Sequence, residues 1–350
     1  MRNRIDLKKY NIRTDLVIDH NLNNINKETK VISDNLKITT IKVTDSLSKN
    51  LNKKKGTYIT LEFTDITNHE DQIEIESYLT KELKNILKQL NIKASDEGLI
   101  IGLGNKLSTA DSLGPKTIEK ILVTRHLFEL NTNTKDGIRP ISAITPGVMA
   151  TTGIETFDII SSIKDKINPN CLIIIDALAS SSIDRINKTI QITDTGINPG
   201  SGIGNNRKEL SPETLKTKVI SIGVPTVVDS SIIVNDTITY LFKHISYLKN
   251  HYNTNKLIIN RNNTYKKNIE NLSLTKKEKQ EISGLLGTLN EEEKKSLITE
   301  VLTNIHNDMI VTPKEIDFLI EKLSDSIAKS INKSLHSALN DWQIKIFFLQ

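Results

Sequence analysis

The sequence predicts an α/β protein built on a doubly wound, mostly parallel sheet, with a small β-containing N-terminal part and a helical C-terminal part. Two observations support this prediction. Short apolar segments typical of buried strands, at 99–104 and 172–175, alternate with helical patterns. The first strand breaks into glycines and is followed by Pro115, a residue favoured in the first turn of a helix. Strands that alternate with helices in this way usually pair in parallel.

The chain before residue 95 predicts two strands and one helix. Alternating apolar and polar residues indicate half-buried strands at 37–43 and 57–63, the second directly after Gly56. Apolar residues at helical spacing indicate a helix over 71–90. The first 20 residues are polar and charged, so we expect them to be peripheral.

The rest of the chain continues the same alternation. We predict helices at 116–130 and 153–167, strands at 172–175, 186–192 and 219–224, and helices at 236–248, 275–306 and 313–340. The glycine-rich segment 194–205 fits neither regular element, and the asparagine-rich segment 251–267 is expected to be a loop or an extension. The core of the fold is therefore predicted at about 95–250, with a helical extension at about 270–350.

The composition excludes several classes of protein. The 350 residues suffice for one large domain, and 25% charged with 37% hydrophobic residues is typical of a soluble globular protein. A net charge of +5 argues against a nucleic-acid binder, and the lysines at 53–55 are expected in a solvated turn. The sequence contains neither an apolar stretch of membrane-spanning length nor a signal-peptide core, so we expect a cytoplasmic protein.

Motifs for cofactors and metals are also missing from the sequence. Gly102 and Gly104 lack the third glycine of a dinucleotide fingerprint, because position 107 is leucine, and the sequence has no P-loop. The seven histidines show no metal-ligand spacing; His126 is expected to be an ordinary residue of a helix face. The single cysteine, Cys171, opens an apolar strand, which predicts a buried structural thiol. We therefore expect neither a metal nor a cofactor.

Two aspartates are the leading candidates for catalysis. Asp111 falls in the loop after the strand at 99–104, and Asp176 stands at the end of the apolar strand at 172–175. In open α/β sheets, catalytic groups collect beyond the carboxyl ends of the strands, so the two carboxylates are a plausible acid and base pair. The alternative is that each aspartate only caps the structure that follows it.

Two further motifs suggest rival chemistries. Ser201 lies between Gly200 and Gly202, but the nucleophile elbow requires a different spacing of glycines, so a flexible backbone loop is the expected structure. Asp194 begins an Asp-Thr-Gly tripeptide like that of pepsin-type proteases, whose all-β fold the α/β pattern contradicts. Asp194 and the loop residues Gly200, Ser201 and Gly202 are therefore kept as reserve candidates for catalysis or substrate contact.

The sequence resembles the germination proteases of spore-forming bacteria in blocks spread over nearly the whole chain. The matching blocks are 10–16, 56–61, 102–105, 111–115, 122–128, 139–143, 146–149, 153–156, 175–179, 194–205, 223–229 and 311–315. The likeness is weakest at about 250–272, and 341–350 extends past the usual end of the family. Val17 and Ser112 stand where the family commonly has alanine, and neither change removes a proposed catalytic group.

The resemblance implies an endopeptidase that degrades the small acid-soluble, DNA-coating proteins of the spore core during germination. It also implies a homotetramer in the forespore and spore core, with no direct nucleic-acid or membrane partner. The family is regarded as atypical aspartic proteases, and its two implicated acids fall on Asp111 and Asp176. A zymogen is implied as well, with residues 1–15 as a propeptide, self-cleavage between Asp15 and Leu16, and a single protease domain over 16–350.

A fainter likeness, through Gly102, Asn105 and the downstream acid, connects the chain with hydrogenase-maturation endopeptidases, whose carboxylates bind metal. Two alternatives therefore stay open: a metal-dependent maturation-type endopeptidase, and a non-catalytic module that binds spore proteins. For an aspartic mechanism, Asp111 and Asp176 must share one proton, because a free aspartic acid titrates near about pH 3.9. The backbone of the loop 200–204 is a candidate oxyanion binder.

Overall fold

The computed structural model describes residues 14–20, 27–51, 53–130, 136–200, 207–251, 269, 272–305 and 309–338. Several predicted features lie outside these residues: positions 1–13 of the propeptide, Ser201 and Gly202, and the tail 341–350. Nearly all of the predicted loop 251–267 also lies outside them.

Nine strands are found within the described residues. They are β1 (Lys27–Val31), β2 (Leu36–Val43), β3 (Gly56–Phe63), β4 (Gly98–Gly102), β5 (Ile141–Ile144), β6 (Cys171–Ser180), β7 (Thr189–Thr193), β8 (Lys218–Asp229) and β9 (Ile310–Val311). The α-helices in the same residues are α1 (Asp45–Leu51), α2 (His69–Gln89), α3 (Leu113–Ile118), α4 (Arg125–Glu129), α5 (Met149–Thr152), α6 (Thr156–Ile167), α7 (Pro212–Leu215), α8 (Ser230–His251), α9 (Lys276–Ser283), α10 (Glu291–Asn304) and α11 (Ile316–Leu335).

The chain divides into two compact units. The smaller unit contains Ser181–Ile183 and the described residues of Val228–Val311; the larger contains those of Arg13–Ser180, Asp184–Val227 and Thr312–Gln350. Within the smaller unit α10 packs on α8, and β9 pairs with Val228 and Asp229 at the end of β8.

The sheet of the larger unit has the strand order β1-β2-β3-β7-β8-β6-β4-β5. β4 pairs in parallel with β5 on one side and with β6 on the other, and every residue of β4 is buried. Uninterrupted apolar strands of this kind are typical of a parallel sheet covered on both faces. The predicted α/β class and its parallel core are therefore confirmed.

The small β-containing N-terminal part extends this same sheet. β1, β2, β3, β7 and β8 pair with one another antiparallel, in that order. β2 and β3 match the predicted strands, whereas β1 was missed, because its sequence KETKV is exposed along its whole length and has no apolar alternation. Backbone pairing with β2, rather than side-chain burial, places β1 at the sheet edge.

Helices α2 and α11 form the main helical layer over the sheet. α2 begins after Asn68, whose side chain accepts a hydrogen bond from the Glu70 N–H, and it buries the apolar stripe predicted from the sequence. Ile75, Leu79 and Leu83 belong to the largest hydrophobic core together with residues of α11. This layer contacts α3, the helix that follows the candidate residue Asp111.

Two predicted helices are wrong in extent. The segment 116–130 forms the separate helices α3 and α4, because Thr124 is bound to the start of β5: its N–H donates to the Ile141 carbonyl (3.0 Å) and its Oγ1 accepts from the Ile141 N–H (3.0 Å). The segment 275–306 is likewise divided. α9 stops at Gly284, which has φ +59°, and α10 starts with its own capping box at Asn290.

Candidate active site

Asp176 lies inside the sheet, at the point where its neighbour strand ends. Gly102, the last residue of β4, pairs with Ile175, so Asp176 extends just past the carboxyl end of β4. β6 itself continues to Ser180, which corrects the prediction that the strand ends at Asp176. The Asp176 side chain is buried, and its Oδ1 accepts a hydrogen bond from the Ala177 N–H (2.9 Å).

Asp111 comes from the loop that follows β4. It ends a short 3₁₀ turn, Thr109–Asp111, and its Oδ2 accepts a hydrogen bond from the Asn105 N–H (2.8 Å). The N-cap position of α3 is taken by Ser112, so Asp111 is not the helix cap that the alternative interpretation assumed. Its carboxylate instead accepts a hydrogen bond from the earlier residue Asn105 and so closes the loop.

Three glycines allow the loop to fold this tightly. Gly104 has φ +112°, and a Cβ there would lie 2.0 Å from the Asp111 carbonyl oxygen. A Cβ on Gly114 would lie 2.2 Å from the Leu103 carbonyl oxygen, and one on Gly102 would lie 2.4 Å from the Gly114 carbonyl oxygen. The glycines noted in the sequence therefore serve close backbone packing of α3 against β4, which brings Asp111 to the strand end.

The charge of Asp111 acts on the protonation of Asp176. Burial raises the pKa of Asp176 well above its ordinary value, and the charges of Asp111 and Asp15 raise it further. Burial also raises the pKa of Asp111, while the Asn105 N–H and the charge of Arg207 act in the opposite direction. A buried acid beside a second carboxylate retains its proton to higher pH, so this pair can hold one proton between its members.

The N-terminal segment runs beside the same part of β6. The Asp15 N–H donates to the Ala179 carbonyl (3.1 Å), and the Asp15 Oδ2 accepts from the Ala179 N–H (3.0 Å). Leu16 and Val17 are fully buried, and the Val17 N–H donates to Gln191 Oε1 (2.9 Å). The bond between Asp15 and Leu16 is thus held three residues along the strand from Asp176.

The remaining residues that the sequence analysis considered, among those described, are Asp194, Cys171, His126 and Gly200. Asp194 Oδ1 accepts a hydrogen bond from the Thr57 N–H (2.8 Å), which anchors the start of β3. Cys171 is fully buried, and burial raises the pKa of its thiol to about 11, as expected for a structural thiol and not for a nucleophile. His126 is exposed on α4. Gly200 adopts φ +73°.

Sequence reasoning missed two cations of this region. The charge of Arg207 opposes the rise in the pKa of both aspartates, although nothing in its sequence neighbourhood indicated this. Lys53 was expected in a solvated turn, but its Nζ donates to the carbonyls of Thr14 and Asp15. Three consecutive lysines look alike in the sequence, although Lys53 binds backbone carbonyls and Lys54 and Lys55 form ion pairs with carboxylates.

Within the described parts of the chain, no group of three histidine, cysteine, aspartate or glutamate side chains is arranged to hold a metal ion. Across the same residues, every helix falls short of the length and apolar character needed to cross a bilayer.

We expect Asp176→Asn to raise the thermal stability of the protein at about pH 7. Because burial raises the pKa of Asp176 above the ordinary 3.8, the folded state binds this proton more tightly than the unfolded state does. The stability contributed by this proton is present below that ordinary value and is lost as pH rises through the raised pKa. Asparagine avoids the loss and keeps an acceptor for the Ala177 N–H.

Thermal unfolding of both proteins across the pH range measures this effect. The gain in melting temperature must shrink as pH falls towards the ordinary pKa of aspartic acid, and the exposed Asp165→Asn on α6 serves as control. An Asp176→Asn protein that is less stable than the parent at about pH 7 would contradict the rise in the pKa of Asp176 on folding.

The chain is similar to known proteins over nearly its whole length. A family model described as germination protease matches residues 9–348. Three similar curated proteins, each named germination protease, come from Priestia megaterium (42% identity over 96% of both chains), Geobacillus sp. strain WCH70 (41%, 97% of this chain and 98% of the relative) and Bacillus mycoides (42%, 97% and 98%). Among solved structures, a [NiFe] hydrogenase maturation protease, HycI from Thermococcus kodakarensis KOD1, covers 41% of this chain and 80% of its own at 18% identity and a TM-score of 0.26.

The family match spans nearly the whole chain, and the relatives are matched over nearly their full lengths. The predicted resemblance is therefore confirmed. The chain belongs to the germination protease family, a family of peptidases.

Proposed function

We propose that this chain is an aspartic endopeptidase in which Asp111 and Asp176 together activate water and protonate the leaving amine. The observation that carries the proposal is a buried acid inside a parallel strand, Asp176, whose pKa is raised by the charge of a second carboxylate, Asp111, from the loop after the neighbouring strand β4. Each carboxylate comes from the carboxyl end of the parallel region, where α/β enzymes place their chemistry.

The two environments support a division of roles. Asp176 is fully enclosed, and its pKa is raised by both burial and neighbouring carboxylates, so it is proposed as the general acid. Asp111 accepts the Asn105 N–H, a bond that favours the carboxylate, so it is proposed as the general base. Both groups are needed in one turnover, because a peptide bond requires an activated water and a protonated leaving nitrogen.

The proposed substrates are the small acid-soluble, DNA-coating proteins of the spore core, and the proposed assembly is a homotetramer in the forespore and spore core. Family membership supports a peptidase of spore germination, and the substrates and the assembly are those that the resemblance implies. Incubation of the purified protein with such a substrate distinguishes an enzyme from a non-catalytic binding module. Cleavage products support the enzyme, whereas a stable complex without products supports the binding module.

In the same assay, Ser201→Ala and Cys171→Ala should keep most of the activity, since neither residue has a role in the proposed mechanism. A large loss of rate in a folded variant would point to a covalent nucleophile. Insensitivity to chelators is expected as well, and metal-dependent cleavage would favour the maturation-type alternative.

We further propose that residues 1–15 are a propeptide that the enzyme removes from itself between Asp15 and Leu16. Support comes from the contacts of the junction, since Asp15 pairs with Ala179 on β6 and its charge reaches Asp176. The full-length protein should shorten to a chain that begins at Leu16 when it is held under mildly acidic, dehydrating conditions. Intact-mass spectrometry over time measures this conversion.

The same preparation containing Asp111→Asn should remain at full length, which shows that the cut is made by this site and not by a contaminant. A new terminus at another bond would refute the assigned junction. Full activity of the uncut chain on an external substrate would refute the zymogen.

A further inference from the structure

Lys53 holds the backbone on both sides of residue Asp15. It lies three residues before β3, and its Nζ donates hydrogen bonds to the Thr14 carbonyl (2.9 Å) and to the Asp15 carbonyl (3.0 Å). The Asp15 carbonyl belongs to the bond between Asp15 and Leu16. The ammonium group of Lys53 therefore touches the oxygen of the bond that the proposed self-processing would cut.

The surroundings of Lys53 differ from those of its two neighbours. Burial lowers the pKa of Lys53, and the charges of Asp15 and Asp19 oppose that shift. Lys54 forms ion pairs with Glu209 and Glu213, and Lys55 is an exposed partner of Asp45. Lys53 instead directs its donors to peptide carbonyls, where a half-buried positive charge is screened less by water than an exposed one.

The other contacts of the segment keep the carbonyl in place without neutralising it. Asp15 is paired with Ala179 through its own N–H and carboxylate, Leu16 is fully buried, and the Val17 N–H is bound to Gln191. These bonds use the amides and the side chain of the segment. The Asp15 carbonyl oxygen accepts its hydrogen bond from Lys53 Nζ.

We propose that Lys53 is the oxyanion-stabilising residue for cleavage of the bond between Asp15 and Leu16. This inference rests on the proposed function, in which Asp111 and Asp176 perform the proton transfers. A preorganised donor within hydrogen-bond distance of a carbonyl oxygen stabilises the negative charge that develops there during hydrolysis. Lys53 thus has the role of oxyanion binder for which the backbone of the loop 200–204 was the candidate in the sequence.

The reaction balances with these three side chains. The oxygen of a water molecule forms a bond to the Asp15 carbonyl carbon while one proton of that water passes to Asp111. The carbonyl electron pair moves onto the oxygen, which faces the Lys53 ammonium. As that electron pair returns, the bond from carbon to the Leu16 nitrogen breaks and Asp176 protonates the nitrogen. The products are a carboxyl group on Asp15 and an amino group on Leu16.

A purely mechanical role for Lys53 would also place its ammonium on these carbonyls. An anchor keeps the segment in its position, whereas an oxyanion donor accelerates the cut after the segment is in position. The two roles therefore differ in whether the loss of Lys53 releases the segment.

The decisive experiment uses the full-length chain carrying Lys53→Met, with Lys55→Met as matched control. Self-processing is followed by intact-mass spectrometry, and folding is checked by thermal unfolding. We expect Lys53→Met to process about 10²–10³-fold more slowly than the parent and Lys55→Met to process normally. If Lys53→Met does not fold, Lys53→Gln replaces it, because glutamine keeps a neutral donor and lacks the charge.

The position of the segment is measured separately, in chains that also carry Asp111→Asn so that no cut occurs. Hydrogen–deuterium exchange of the peptide containing residues 14–20 measures the protection of the Asp15 and Val17 amide hydrogens, which are hydrogen-bonded in the folded chain. Unchanged protection in the Lys53 variant, together with slow processing, supports the proposal. Lost protection shows an anchor only, and processing at the rate of Lys55→Met removes Lys53 from the reaction; either result overturns the proposal.

Asp111→Asn and Asp176→Asn are run in the same processing assay. If both still process normally, the proposed function fails whatever the Lys53 variants do. If both are inactive and Lys53→Met is unimpaired, only the role of Lys53 is refuted.

Discussion

Replacing Asp111 with asparagine is expected to lower the rate of peptide cleavage by about 10³-fold or more while the protein stays folded. Asparagine has nearly the same shape and keeps an oxygen for the Asn105 N–H, so the loop after β4 retains its closing bond. It cannot accept a proton from water, and it removes the charge that raises the pKa of Asp176. The loss therefore measures the chemistry and not the fold.

Asp176→Asn should produce a loss of similar size, and the double variant should be little worse than either single one. Residues that act as one unit give strongly non-additive losses, because the first substitution already abolishes the shared function. The measurement is the initial rate of cleavage of a small acid-soluble spore protein by each purified variant. Asp165→Asn, an exposed aspartate of α6, is the matched control and should leave the rate unchanged.

Near-normal cleavage by either variant would exclude that residue from the mechanism. Losses that multiply in the double variant would mean that the two carboxylates act independently. Both outcomes require that contaminating proteases are excluded first, for which a mock purification from cells that do not express the protein is the blank.

Gly114→Val is expected to remove both stability and activity. A Cβ at Gly114 would lie 2.2 Å from the Leu103 carbonyl oxygen and 2.6 Å from the Leu103 nitrogen, and backbone atoms cannot move aside as a flexible side chain can. Helix α3 must therefore shift away from β4, at a cost of about 3 kcal/mol in the free energy of unfolding. The shift also displaces Asp111, which directly precedes the helix cap Ser112.

Chemical denaturation gives the change in unfolding free energy, and the cleavage assay gives the change in activity. Gly153→Asn is the control: no atom lies within 4 Å of a Cβ at that position, and asparagine tolerates the positive φ of Gly153. A Gly114→Val protein as stable as the parent would show that α3 is not packed as closely on β4 as described.

Much of this fold could be predicted because its signals are local. The uninterrupted apolar runs that became β4 and β6 identified the parallel core, and the alternating residues of β2 and β3 identified the N-terminal strands. The apolar stripe of α2 likewise appears in the sequence at helical spacing. Strands and helices that bury a face must carry that periodicity, so the sequence records it directly.

Other features have no local signal. β1 is a strand because β2 provides partners for its backbone, and the helix expected at 116–130 is interrupted because Thr124 is bound to Ile141. In both cases hydrogen bonds to a segment distant in sequence outweigh the intrinsic preference of the residues. A pattern read along the chain cannot contain the identity of such partners.

The candidate site shows the same division. The family, the α/β class and the two candidate aspartates could be predicted from the sequence, because the matching blocks and the apolar strands that precede Asp111 and Asp176 are local signals. The burial of Asp176, the charges of Asp111 and Asp15 that raise its pKa, and the difference between Lys53 and its neighbours Lys54 and Lys55 appear only in the folded chain. Burial and electrostatic coupling depend on tertiary contacts between segments that are distant in sequence. These contacts form only when the sheet assembles.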